Sequence, residues 1–183
     1  MKALFKKYKT VIRFVVLFLG TYLVLTMMYS FYLSVSNSST YPPDFVTNLV
    51  AKQSSALIKG FGYQAEVIPH ETETSMKLIV NEIYLAEVVE GCNAISIIIL
   101  FIAFIISFAE KFKKTFLYIL TGIVLIYSVN ILRISILAIA IYQYPQYSET
   151  LHGVVFPAII YGMVFLLWMI WVRMLSKTET ENE

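Results

Sequence analysis

Hydrophobic residues in this chain fall into four long runs, separated by one polar segment and by short polar turns. A transmembrane helix needs about 20 consecutive, mostly apolar residues to cross a bilayer. The runs therefore predict four membrane-spanning helices, over residues 14–33, 91–109, 115–142 and 153–172. Pro157 lies near the start of the fourth run, where a helix loses least from a missing backbone N–H.

The first run has two interpretations, a cleaved signal peptide or a retained signal anchor. Ser34 and Ser36 offer small residues for cleavage, and basic residues precede the run, at Lys2, Lys6, Lys7 and Lys9. The apolar core of a signal peptide is about 7–15 residues long, however, and this run is longer. We therefore interpret it as a signal anchor that remains in the membrane.

Positive charges predict the orientation, because Lys and Arg concentrate in short cytoplasmic loops. They cluster before the first run, between the second and third runs, and after the fourth. The residues are Lys2, Lys6, Lys7, Lys9, Arg13, Lys111, Lys113, Lys114, Arg173 and Lys177. This distribution predicts that both termini are cytoplasmic and that residues 34–90 lie outside the cytoplasm.

Residues 34–90 predict a small extracytoplasmic α/β segment. Apolar residues from Phe45 to Ile58 follow a helical spacing, and Gly60-Phe61-Gly62 ends this amphipathic helix. Three stretches rich in β-branched residues predict a hairpin or meander, at 64–68, 77–80 and 83–88. A unit of this size has little core of its own, so we expect it to pack on the membrane helices.

Composition narrows the class of protein further. The chain is 58% hydrophobic and 14% charged, whereas a soluble domain has about 25% charged residues. This composition disfavours a disordered protein, a coiled coil and a nucleic-acid-binding domain. The single cysteine excludes an intramolecular disulfide and a cysteine cage for zinc or iron–sulfur. The prediction is an all-α integral membrane protein with four transmembrane helices and the small α/β segment.

Three polar residues from three different runs reach a similar depth on the outer side. Cys92 opens the second run and His152 directly precedes the fourth. Arg133 follows Thr115 by 18 residues, which is about 27 Å along a helix, so it lies toward the outer leaflet. Asn130, three residues before Arg133, shares its helix face.

Each of the three has an ordinary structural interpretation. A lone cysteine is often an inert small hydrophobe, a histidine at a helix end is often interfacial, and an arginine can form an ion pair. The second to fourth runs contain no Asp or Glu, however, and a charge in hydrocarbon costs about 2.5–3.5 kcal/mol. Glu87 or Glu90 at the rim, or a substrate, remains as a partner for Arg133.

The combination of the three predicts acyl-transfer chemistry. A thiolate is a strong nucleophile and is favoured beside histidine or arginine. A histidine can take the thiol proton and later give it to a leaving amine. A guanidinium can stabilise the oxyanion of a tetrahedral intermediate.

The motifs resemble those of the exosortase/archaeosortase family. Glu90-Gly91-Cys92-Asn93-Ala94 opens one transmembrane helix, Asn130-Ile131-Leu132-Arg133 lies in the next, and His152 opens the last. The resemblance covers roughly residues 85–172, and the short chain with few spans is similar to the exosortase-F subgroup. Larger exosortases have Ser or Thr and then Gly after the cysteine, where this chain has Asn93 and Ala94.

The resemblance implies a membrane transpeptidase of the cytoplasmic membrane that cleaves C-terminal sorting signals of exported proteins. It implies Cys92 as the nucleophile, Arg133 as the transition-state stabiliser and His152 as the third catalytic residue. Asn130 would orient Arg133, and Glu90 and Asn93 would support the site. The implied partners are clients with a C-terminal hydrophobic sorting helix, an unknown cell-surface acceptor and the lipid bilayer, with no nucleic acid.

The chain would then divide into four parts. These are a basic terminus with a signal anchor, the extracytoplasmic segment, a three-helix catalytic membrane core and a cytoplasmic tail, at 1–33, 34–90, 91–175 and 176–183. Thiol chemistry needs no cofactor, and we expect no metal, because His70 and His152 are the only histidines. We expect His70 to be a solvent-exposed turn residue.

Two other functions remain open. The first alternative is a non-catalytic membrane assembly factor that binds a partner through its extracytoplasmic segment, in which case Cys92→Ala would be silent. A small four-helix transporter is the second, but such proteins usually place carboxylates within the bundle. Small residues can also receive a client helix, but we interpret Gly122, Gly153 and Gly162 as helix-packing positions.

Overall fold

The computed structural model describes residues 8–36, 41–109 and 111–180, with side chains to residue 176. Several residues used above lie outside these ranges. They are Lys2, Lys6 and Lys7 before the first helix, residues 37–40 of the polar segment, and residues 181–183 of the tail.

The described chain forms five α-helices and one small sheet. The helices are α1 (Lys9–Ser36), α2 (Phe45–Gly60), α3 (Ile95–Ser107), α4 (Phe112–Gln143) and α5 (Phe156–Thr180). The strands are β1 (Ala65–Pro69), β2 (Ser75–Val80) and β3 (Ile83–Val89). Between α4 and α5 the chain passes through three short turns, the 3₁₀ turn Pro145–Tyr147, the α turn Ser148–Thr150 and the π turn Leu151–Val155.

Three helical stretches among the described residues are long and apolar enough to cross a membrane. They are α1, α4 and the stretch Pro145–Ser176, which contains most of α5. These agree with the first, third and fourth predicted spans, although α1 begins before residue 14 and continues through Ser34 and Ser36. A membrane protein with a small α/β segment is therefore confirmed.

The predicted helix over residues 91–109 is wrong in its extent. The helix α3 has 13 residues, which is about 20 Å against the roughly 30 Å of a hydrocarbon core. Glu90–Cys92 form a 3₁₀ turn, and Ala94 adopts a left-handed conformation with φ 66°. The Oδ1 of Asn93 accepts from the N–H of Ile95 at 2.9 Å, and such local bonds compete with helical ones.

The sheet is antiparallel in the order β1-β2-β3. All three predicted strands are present, with ends that differ from the prediction by at most two residues. Val80 pairs with Ile83 across a two-residue turn, where Asn81 and Glu82 have φ 46° and 67°. Positive φ at both turn positions matches the twist of a tight hairpin, and Asn tolerates it well.

One hydrophobic cluster joins the α/β segment to α4. The carboxylate of Asp44 caps the N-terminus of α2 by accepting from the N–H groups of Val46 and Thr47. Buried side chains of α2, the sheet and α4 then form the cluster, including Val50, Ile58, Leu78, Val80, Ile134 and Ala138. The hydroxyl of Ser135 also donates to the carbonyl of Ser54 at 3.1 Å. The segment is thus packed directly on a membrane helix.

A second hydrophobic cluster holds α3, α4 and α5 together further along the helices. Its largest buried side chains are Phe101, Ile105, Ile126 and Trp171. A Cβ added at Gly122 would lie 2.2 Å from Cζ of Phe101, so this glycine is a close-packing position as expected. Gly153 and Gly162 have nothing within 4 Å of an added Cβ, so the same interpretation is wrong for them.

Candidate active site

Cys92 lies in the Glu90–Cys92 turn, between the end of β3 and the start of α3, and is half-buried. The side-chain amide of Asn130 donates to the carbonyl oxygen of Cys92 at 2.7 Å. Asn130 itself is buried on α4. The amide expected to orient Arg133 therefore holds the backbone of Cys92 instead.

Asn93 anchors the end of the same turn. Its Nδ2 donates to the hydroxyl of Tyr29 at 2.8 Å and to the hydroxyl of Thr47 at 3.0 Å. Tyr29 belongs to α1 and Thr47 to α2, so one buried amide joins three separate parts of the chain. The sequence motif drew attention to Asn93 but gave no sign of these partners, which lie 64 and 46 residues away.

Arg133 lies one turn after Asn130 on α4 and is half-buried. Its Nε is buried and has no hydrogen-bond partner among the described residues. No carboxylate of the described chain lies within 4 Å of the guanidinium, so the ion pair considered with Glu87 or Glu90 is not formed. Arg133 therefore keeps guanidinium N–H donors available for a bound group. The pKa of Glu90 is raised, first by burial and then by the nearby carboxylate of Asp44.

His152 lies in the π turn Leu151–Val155 that precedes α5, and its side chain is exposed. π turns are rare in proteins, but those that occur are often at functional sites. The predicted position at the opening of the last helix is close to the observed one, but the residue is held by the turn rather than by the helix.

The three predicted catalytic residues line one cavity of about 40 Å³. Its wall also includes residues of β2, β3 and α4, namely Leu78, Ala86, Glu87, Val88, Ile134, Leu137 and Ala138. A volume of this size admits a few atoms or a water molecule but no peptide. The cavity as it stands therefore has no room for a peptide, and His152 lies at its exposed side.

Glu87 also contributes to this cavity, on the β3 side. Its carboxylate accepts from the Tyr84 hydroxyl and, at 3.2 Å, from the Ser75 hydroxyl. The Tyr84 bond is the largest cause that lowers the pKa of Glu87, and the same bond raises the pKa of Tyr84 to about 12. Sequence reasoning named Glu87 only as a possible partner of Arg133, because its actual partners depend on strand register.

His70 faces the same carboxylate, with Nε2 3.8 Å from Oε1 of Glu87, and its side chain is only 16% exposed. His70 lies in the connection between β1 and β2 as expected, but its side chain is half-buried rather than fully solvent-exposed. His70, Glu73 and Glu87 offer ligand atoms within 4.8 Å of one another. The Nδ1 of His70 accepts from the N–H groups of Thr72 and Glu73, however, which leaves the proton of a neutral ring on Nε2. That arrangement favours a hydrogen-bonded group over a metal site.

A thiol, an imidazole and a guanidinium with a free donor can together perform nucleophilic acyl transfer. No carboxylate of the described chain lies within 4 Å of the guanidinium. The side-chain amides of Asn130 and Asn93 hold the carbonyl of Cys92 and the residue that follows it. The arrangement thus brings together, around one cavity, the residue types that such a reaction would use.

A family model described as "Transmembrane exosortase" (Exosortase_EpsH) matches residues 6–174 of the chain. The match extends well beyond residues 85–172, where the motifs lie, and includes the first helix and the α/β segment. Searches of curated proteins and of solved structures give no match. Because the model covers most of the 183 residues, the chain belongs to the transmembrane exosortase family.

Proposed function

We propose that this protein is an exosortase of the F type, a cysteine transpeptidase that cleaves the C-terminal sorting signal of exported proteins through a thioester on Cys92. The observation that carries the proposal is the single cavity shared by Cys92, Arg133 and His152, which come from three different parts of the chain. The guanidinium of Arg133 has no counter-charge in this cavity, and leaving such a charge unpaired is costly. A bound substrate that pairs with it would account for the arrangement.

The first half of the reaction forms the thioester. His152 accepts the thiol proton, and the Sγ of Cys92 attacks the carbonyl carbon of the scissile peptide. The N–H groups of Arg133 donate to the oxyanion that forms, where its unpartnered Nε is available. The C–N bond then breaks, and the leaving amine takes the proton from His152.

The second half releases the client. A nucleophile of the acceptor, or water, gives a proton to His152 and attacks the thioester carbonyl, with Arg133 again stabilising the oxyanion. The Cys92 thiolate leaves and recovers the proton. Asn130 and Asn93 act as positioning residues throughout, because Asn130 holds the carbonyl of Cys92 and Asn93 anchors the next residue to α1 and α2.

The membrane arrangement belongs to the same proposal. The distribution of Lys and Arg supports cytoplasmic termini and a site at the outer face of the cytoplasmic membrane. The short helix α3 would then be the remaining crossing, the second along the chain, completed by the turn before it and by residues after it. A client would present its cleavage site at the outer surface, with its hydrophobic sorting helix in the bilayer beside the protein.

Covalent trapping tests the proposal directly. Membranes that carry the protein and its exported clients are quenched in acid, and peptides containing Cys92 are searched by mass spectrometry for an acyl adduct that hydroxylamine removes. Cys92 is the only thiol in the chain, so the adduct has one possible site. The matched variant Cys92→Ser should show no hydroxylamine-labile adduct.

The assembly-factor alternative makes the opposite prediction. Under that function Cys92→Ala would leave every exported protein unchanged in length and surface attachment. Normal processing in the Cys92→Ala strain, together with the absence of an adduct on wild-type Cys92, would overturn the catalytic proposal.

A further inference from the structure

We propose that the free edge of β3 binds the client as an added β-strand, so that an extended client segment pairs with Ile83–Val89 and presents its scissile bond to Cys92. This inference rests on the proposed function and adds to it the surface and the conformation through which the client is recognised.

The position of β3 in the sheet is the first observation. The strand order is β1-β2-β3, so among the described residues β3 has a strand partner only on its β2 side. Unpaired backbone N–H and C=O groups of an edge strand are a template for another chain. Val89 ends the strand, and Cys92 follows three residues later, at most about 11 Å along the chain.

The strand is also continuous with the catalytic cavity. Ala86, Glu87 and Val88 of β3 line the cavity that contains Cys92, Arg133 and His152. A second cavity, of about 270 Å³, lies at the end of the same strand and is lined by Val89, Glu90 and Gly91 with residues 73–75. Both cavities therefore adjoin β3, and the one lined by Ala86, Glu87 and Val88 also contains Cys92.

The two edges of the sheet differ in how they are protected. Natural edge strands often carry charges or proline, which prevent pairing with other chains. The β1 edge has an exposed Glu66 and ends at Pro69. The β3 edge has no proline and no lysine, and its one irregularity is a bulge at Leu85 in the middle of the strand. Its exposed side chains include Ile83, Tyr84 and Val89, at 52%, 50% and 41% exposure. Its one acid, Glu87, is already bonded to Tyr84 and Ser75.

An extended polypeptide fits this edge better than a helix or a folded domain. Strand addition obtains affinity from main-chain hydrogen bonds and specificity from alternate side chains. It also holds the peptide backbone straight, so that one carbonyl can be placed at a fixed nucleophile. Because the main chain carries the binding, a client segment of varied sequence can still dock.

Disulfide mapping tests the edge. Cys92→Ala removes the only cysteine, and Val89→Cys or Ile83→Cys then places one thiol on β3. Ile68→Cys on β1 is the matched control, since Ile68 is also an exposed apolar strand residue, at 37% exposure. The probe is an exported reporter with an extended segment, an apolar helix of about 20 residues and a basic tail, with one cysteine moved along the extended segment.

The expected result is disulfide formation with Val89→Cys and Ile83→Cys at alternate reporter positions, because successive side chains of a strand point to opposite faces. The rate should be roughly tenfold higher than with Ile68→Cys, since docking holds the two thiols at high effective concentration. Equal rates on β1 and β3, no alternation, or no disulfide at any position on β3 would overturn the inference.

The outcome remains separable from the proposed function. A hydroxylamine-labile adduct on Cys92 of the wild-type protein, without β3 cross-links, would reject client binding at the β3 edge and support catalysis through a thioester. Alternating β3 cross-links without any adduct would keep the binding surface and reject the chemistry. Equal amounts of each cysteine variant in the membrane, measured by immunoblot, ensure that a missing cross-link does not reflect a missing protein.

Discussion

The two ends of the α3–α4–α5 unit are built by different means. We call the end with Cys92, Arg133 and His152 the site end and the opposite end the aromatic end. At the aromatic end, Phe104 stacks on Trp168 at 4.4 Å between ring centroids, and Tyr118 lies 4.8 Å from Trp171. At the site end, buried amides hold the turn, and an arginine faces a small cavity without a partner.

The difference separates packing from chemistry. The aromatic end also has buried donors without partners, the indole N–H groups of Trp168 and Trp171, but these are uncharged. An unneutralised guanidinium costs far more to bury than an indole N–H. Stability is therefore expected to respond most to changes at the aromatic end, and catalysis to changes at the site end.

The largest expected effect follows from Arg133→Lys. An ammonium keeps the charge but lacks the planar set of donors of a guanidinium, and loss of one oxyanion donor costs about 10²–10³ in rate. Client processing should fall by roughly that factor at an unchanged level of the protein in the membrane. Processing is followed by the electrophoretic mobility of clients, and the level by immunoblot.

Arg173→Lys is the matched control, because Arg173 is an exposed arginine near the aromatic end. It should leave processing unchanged. Normal processing with Arg133→Lys would remove Arg133 from the catalytic set, and lost processing with a lower protein level would assign it a structural role.

Gly122→Ala tests the aromatic end. The added methyl group would meet the ring of Phe101 at 2.2 Å, and overpacking of this kind typically costs about 1–3 kcal/mol. The denaturation midpoint of the purified protein in detergent should therefore decrease. The alkylation rate of Cys92 in the folded protein should stay the same.

Gly162→Ala is the control for that variant, since nothing lies within 4 Å of its added Cβ. It should be neutral or slightly stabilising, because alanine favours a helix by about 1 kcal/mol over glycine. Equal destabilisation by both variants would mean that the close contact with Phe101 does not limit packing at the aromatic end.

Long-range contacts explain which features the sequence could predict. The helices α1 and α4 follow from uncharged runs, and the hairpin follows from β-branched stretches around Asn81-Glu82. The start of α3 does not follow from the local sequence, because it depends on the buried side chain of Asn93 and on its partners in α1 and α2. The partial burial of His70 does not follow from the sequence for the same reason, since Glu87 approaches it only through strand pairing.

The sequence predicts which residues meet at the candidate site better than it predicts the contacts of each side chain. Cys92, Arg133 and His152 share a cavity, and topology alone had placed them at one depth. The roles of Asn130 and Glu87 depend on side-chain directions that spacing does not specify, so the sequence assigned them other partners. Their catalytic or supporting functions stay predictions that the variants here test.

Asn130→Ala should have the next smaller effect. It removes one hydrogen bond to the backbone of Cys92, worth about 1 kcal/mol net, which corresponds to roughly fivefold in rate. Processing should fall by about that factor while the protein level is unchanged. Ser135→Ala, which removes a bond between α4 and α2, should leave processing unchanged, and an equal loss in both variants would contradict a positioning role.

Ala94→Gly should have the smallest effect and the opposite sign. Ala94 has φ 66°, a left-handed conformation that costs a residue with a Cβ about 1–2 kcal/mol. Glycine removes this cost but loses more conformational entropy on folding, about 0.5–1 kcal/mol. A net stabilisation of about 0–1.5 kcal/mol is expected in the detergent denaturation assay. The control is Ala140→Gly in the right-handed helix α4. It removes no left-handed strain and should therefore destabilise the protein. If Ala94→Gly destabilised the protein as much as Ala140→Gly, the left-handed turn behind Cys92 would not be present in solution, and the geometry that aims the thiol at the cavity would have to be revised.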